Sequence, residues 1–158
     1  MRDLGERLQL AAIETAGLLR TPEAVGELRR LLESGPEKRP RRAAVLALAR
    51  IAEPGSRAPL TGFLRDKDEE VRAAAATSLG RFMLLGALGE IGDELARVAE
   101  EALHMAWYRA GEPVEVRRRA LESLAYSSMP ELPTLIQNAY FDEDELMRQS
   151  ALFAMGRS

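Results

Sequence analysis

Apolar residues along this chain fall at helical spacing. Nothing alternates with a period of two over a useful length, so the pattern predicts an all-helical protein. Five segments align without gaps: Leu8–Gly17, Pro40–Ala49, Val71–Gly80, Val116–Ala125 and Met147–Gly156. Their fifth column is always alanine, at Ala12, Ala44, Ala75, Ala120 and Ala151. Their tenth column holds only glycine or alanine, at Gly17, Ala49, Gly80, Ala125 and Gly156. The fifth-column alanines lie 32, 31, 45 and 31 residues apart, so a period near 31 carries one long step with 14 extra residues. Columns one, five, six and nine form one stripe of small or apolar residues, Pro40 excepted. Helices that meet through such a stripe approach closely, and a larger side chain there costs about 1–3 kcal/mol by overpacking.

These segments predict a recurring, second-type helix near 6–19, 38–52, 68–84, 113–127 and 144–157. First-type helices fill the gaps near 22–34, 56–66, 93–110 and 131–141, with the insertion within 81–111 and the whole of 1–158 as one repeat domain. Thr21 is placed to cap the first of these, with Pro22 at its first position and Leu28, Leu31 and Leu32 facing inward. The next carries Leu60, Phe63 and Leu64. The third carries Leu95, Val98, Ala102, Leu103 and Ala106, and the last, opened by Pro130, carries Leu135, Ile136, Ala139 and Tyr140.

The runs Asp66–Gly80 and Asp142–Gly156 resemble the HEAT repeat, in the short bacterial form named after phycobilisome lyases. The resemblance covers nearly the whole chain, with 81–111 as its main departure. It implies an all-α fold: an α-α superhelix, a HEAT/armadillo-like solenoid of about four to five helix pairs with right-handed stacking. It also implies a non-catalytic protein-protein interaction scaffold or adaptor. A chromophore (bilin) lyase-type subunit or assembly chaperone is the alternative, and a nucleic-acid-binding HEAT-like domain a further one. In this architecture the second helix of each pair lines the concave side. Columns three and seven point away from the alanine stripe. Leu10, Glu14, Arg42, Leu46, Ala73, Thr77, Arg118, Glu122, Gln149 and Phe153 are therefore expected to face a protein partner. The family also has a ladder between neighbouring repeats, made by an aspartate and an arginine six residues later. Asp66 with Arg72 and Asp142 with Arg148 match it, whereas Arg41 and Arg117 have Gly35 and Gly111 where the aspartate belongs.

Composition narrows the chemistry. The net charge is -3, and only Lys38 and Lys67 among the 22 basic residues are lysines. Arg42 and Arg118 are offset by Glu14 and Glu122, which disfavours a nucleic-acid partner. There is no cysteine, and His104 is the single histidine, so no catalytic residue, metal ligand or cofactor site is expected. The acidic runs 66–70 and 142–145 lack the spacing and glycine of a calcium loop and suit helix N-termini. Trp107 sits four residues after Leu103 and continues its stripe. No apolar run reaches membrane-spanning length, and the N-terminus lacks the apolar core of a signal peptide, so the cytoplasm is the expected location. Both ends of the chain lack a polar capping repeat. This predicts either a piece of a longer array or self-association through ends that carry Leu152, Phe153 and Met155.

Overall fold

The computed structural model describes residues 2–51 and 59–157. Among them are nine α-helices, two short 3-10 turns and no strand. Contacts group the chain into two compact units, Met1–Ala75 and Ala76–Ser158.

The first unit contains α1 (Arg2–Leu18), α2 (Val25–Ser34), α3 (Lys38–Ile51), α4 (Pro59–Gly62) and the opening turns of α5 (Glu69–Ala87). Helix α3 is its centre and packs against both α1 and α2. Ala44, Val45, Ala47 and Leu48 bury that contact from α3, and Leu28 and Leu32 bury it from α2. The tenth-column glycine explains the approach of α1: a Cβ on Gly17 would lie 2.9 Å from the Cα of Ala47. Helix α1 then ends in a Schellman turn, with the Thr21 amide donating to the Ala16 carbonyl at 3.0 Å. Arg20 occupies the left-handed position of that turn at φ 52°, where glycine is the usual residue.

Thr21 does not cap α2 with its side chain. Pro22–Ala24 form a 3-10 turn, and the Ala24 amide donates to the Thr21 carbonyl at 3.2 Å. The helix expected from Ser56 begins outside the described residues. From Pro59 it is a single α-turn that runs into a 3-10 turn at Phe63–Arg65, with Leu60 and Leu64 buried.

The second unit contains the rest of α5, then α6 (Asp93–Tyr108), α7 (Val114–Leu124), α8 (Leu132–Tyr140) and α9 (Glu145–Met155). The inserted residues go into both helices around the 81–111 stretch, 19 residues in α5 and 16 in α6. The turn between them uses Gly89 at φ 71°, the same Schellman geometry as at Arg20 but with glycine in place. Helix α7 packs against α6 and α9, and α9 against α8. The stripe of α6 is rotated slightly from its expected phase: Ala99, Leu103 and Ala106 are buried, while Val98 is exposed. Tyr140 is likewise exposed at the end of α8.

The alanine seam holds at four of its five positions. Ala44, Ala75, Ala120 and Ala151 are each 0% exposed. Ala12 is exposed and corrects the expectation. Helix α1 meets α3 through Ile13 and Gly17, and the side that carries Ala12 faces a groove rather than a helix. In the second unit the seam is tightest at Gly80, where an added Cβ would lie 2.5 Å from Ser123 Oγ. That hydroxyl is buried and donates to the Ala76 carbonyl at 2.8 Å.

Candidate partner-binding grooves

Each unit has a groove lined by its second-type helices. In the first unit α1 and α3 enclose about 610 Å³ between Leu10, Glu14, Leu18, Arg39, Arg42, Ala43, Leu46 and Arg50. All four expected residues of these two helices, Leu10, Glu14, Arg42 and Leu46, line it. The reason is the helical period. Columns three and seven are four residues apart, so they stack on one face, opposite the fifth-column alanine. Sequence reasoning missed Leu18, Arg39 and Arg50, which continue the same face one or two turns further along.

In the second unit a smaller groove of about 360 Å³ lies between Thr77, Gly80, Arg81, Leu84, Glu122, Ser123, Tyr126 and Phe153. It gathers Thr77, Glu122 and Phe153 from three helices. Gly80 and Ser123 are buried, while Tyr126 and the exposed Phe153 each have the Arg157 guanidinium over their rings. The remaining expected residues stand apart from both grooves. Ala73 is buried, and Gln149 is exposed with its amide 3.4 Å from Glu145 Oε1.

Arg118 is held inside a network on α7. Its guanidinium and that of Arg119 both bridge Glu115 and Glu122. Glu122 also accepts from the buried Ser150 hydroxyl of α9 at 2.6 Å. Burial pushes the Glu115 carboxyl up, but Arg118 and Arg119 donate to it and their charges outweigh that, so its pKa is lowered. Arg119 is affected in the complementary sense: burial lowers its pKa, and Glu115 and Glu122 more than reverse this, so it is raised.

Both ladder arginines make local contacts to backbone carbonyls. Arg72 donates to the Asp66 backbone carbonyl at 2.8 Å. Arg148 donates likewise to the carbonyls of Asp142 and Glu143, at 2.9 and 2.8 Å. A link between successive repeats comes from Arg41, which pairs with the Asp66 carboxylate and donates to the Leu32 carbonyl at 3.1 Å. Both side chains of this pair are buried. Asp66 and Asp142 each accept from the amide two residues on, at 2.9 Å, and Asp144 caps α9 through the Met147 amide. These contacts make Asp66, Asp142 and Asp144 turn and helix-start residues. Among the described residues no group of three or more His, Asp or Glu lies together as a metal cluster. His104 packs edge-on against Tyr108 at 4.9 Å, and Trp107 is buried beneath the Arg117 guanidinium at 4.8 Å.

A third groove of about 510 Å³ lies between α1 and α2 and is lined by Ala12, Ile13, Ala16, Leu28 and Leu31 among others. No helix among the described residues is long and apolar enough to cross a membrane.

No curated protein matches the chain. The family described as HEAT repeats matches residues 1–80 and 32–108, two overlapping stretches that together run over 108 of the 158 residues. HEAT repeats are commonly protein-interaction scaffolds and are generally non-catalytic. With alanine-seamed helix pairs in both units and this match over most of its length, the chain belongs to the HEAT-repeat family.

Proposed function

We propose that this chain is a non-catalytic interaction scaffold that holds a protein partner in the grooves of its second-type helices. One observation carries the reading: Leu10, Glu14, Arg42 and Leu46 converge on one groove, and Thr77, Glu122 and Phe153 on the other. These columns vary from repeat to repeat while the seam beneath them does not. A constant seam with a changing outer face is what a binding surface on a fixed scaffold requires. Photo-crosslinking amino acids at Leu46 and Phe153, compared with one at the exposed Gln137 on α8, test it in extracts of the native cell. Crosslinks to one protein from Leu46 or Phe153, and none from Gln137, support the reading. Crosslinks from Gln137 alone overturn it.

A second reading is favoured by the apolar side chains left in solvent just after α8 and on α9. Phe141, Leu146 and Leu152 are 75%, 47% and 56% exposed. We infer that these side chains join a second copy of the chain. Light scattering that shows a monomer throughout a concentration series removes it.

A further inference from the structure

We propose that the α1/α3 groove takes an amphipathic helix with one acidic flank, the one that faces α3. This rests on the scaffold reading above and names the partner's chemistry. Helix α3 carries five cations, Lys38, Arg39, Arg41, Arg42 and Arg50, and no carboxylate. Four of them crowd its first turns, where the helix dipole disfavours positive charge. Two of those four have an internal use. Arg41 pairs with Asp66, and Lys38 lies 3.7 Å from Asp68. Arg39, Arg42 and Arg50 have no ion pair or hydrogen bond among the described residues, and all three are exposed on the groove. Elsewhere on α7 the arginines facing outward are already neutralised by Glu115 and Glu122. The α1/α3 groove is therefore a concentration of unspent positive charge on a chain of net charge -3.

The floor between these arginines decides the class of anion. Leu10, Leu18, Ala43 and Leu46 are apolar, and a nucleic-acid backbone offers them nothing to bury. An amphipathic helix offers leucine-like side chains at i, i+3 and i+4 to such a floor, and carboxylates to its rim. Arg42 and Arg50 are eight residues apart, about 12 Å along α3 at 1.5 Å per residue. A helix lying along the groove meets both ends with acidic residues about two turns apart, seven or eight residues in its own sequence. Glu14 is the one carboxylate on the groove and faces α3 from the α1 wall, so the flank docking beside it has to be neutral or basic.

The test uses the full chain and fluorescence anisotropy. The probe is a labelled, helix-stapled peptide of about 18 residues, with leucines on one face and glutamates two turns apart. Its companions are the same peptide with Gln for Glu, the same peptide with Lys for Glu, and a DNA duplex. The acidic peptide is expected to bind, and to weaken about tenfold with the Gln version or with the double variant Arg39→Glu/Arg42→Glu. Leu46→Glu should remove binding while the helical circular dichroism is kept. If the helical signal falls, Leu46→Gln replaces that variant. Equal binding of the Gln or Lys peptide, still sensitive to Leu46, overturns the acidic chemistry and leaves the groove as a docking site. Binding of the duplex alone, lost in the double variant, overturns the proposal in favour of nucleic acid. Failure of every probe to respond to Leu46 or to the arginines overturns the proposal and the groove reading together.

Discussion

Helices α3 and α7 occupy equivalent places in the repeat, and their arginines meet opposite fates. In column two, Arg41 is buried against Asp66, whereas Arg117 lies over the ring of Trp107. In column three, Arg42 lines a groove with no ion pair among the described residues, whereas Arg118 is tied between Glu115 and Glu122. The repeat fixes where a side chain points. The residues one turn away on its own helix, and those on the neighbouring helix, fix whether its charge is available to anything else.

The largest expected effect separates the two column-two arginines. Arg41→Ala leaves the buried Asp66 carboxylate without its cation and should cost about 3 kcal/mol in urea unfolding. Arg117→Ala removes a cation–π contact and should cost about 0.5–1 kcal/mol. Similar losses at both sites would erase the distinction. Next in size is the seam against which α7 packs. Gly80→Val places its Cβ within 2.5 Å of Ser123 Oγ, and should lower stability by about 2 kcal/mol. A thermal melt unchanged by it would mean that α5 and α7 can separate without penalty.

The column-three pair gives a smaller contrast. Arg118→Glu sets a third carboxylate between Glu115 and Glu122 and should cost about 1 kcal/mol. Arg42→Glu removes a cation from a helix start and should leave stability unchanged or raise it by about 0.5 kcal/mol. The order of the two melting temperatures checks it. The smallest effect is a pH dependence. The folded pKa of Glu115 lies below the ordinary 4.5, so the unfolded chain binds its proton first as pH falls. Its contribution is present above pH 4.5 and is lost as the pH drops through the lowered folded value. Glu115→Gln should therefore lower stability slightly at neutral pH and converge with the parent in acid. A gap that persists in acid would assign the effect to packing.

The seam is legible in the sequence because it is periodic and made of small residues, alanine and glycine, that recur at fixed columns. The same periodicity misleads at Ala12, which is exposed. Its column says what a seam residue looks like, but burial needs a second helix, and column spacing alone does not supply one. The Arg41–Asp66 link escaped because alignment compares positions within a repeat, while this pair spans 25 residues from one repeat to the next. The groove positions followed from helical phase. Arg39 and Arg50 belong to the same face, and the signal that could have revealed them was the absence of any carboxylate on α3. The Val98 and Ala99 phase was not legible, since both are apolar and a small rotation exchanges them.

Asp66 accepts the Arg41 guanidinium and the Asp68 amide through its carboxylate, and Arg72 through its carbonyl. One residue thus clamps the start of α3 to the entry of α5. Anyone who recombines this array therefore faces a rule of grammar. A foreign unit spliced in after α3 has to bring its own acid at this turn, or it strands a guanidinium that the preceding unit has already buried.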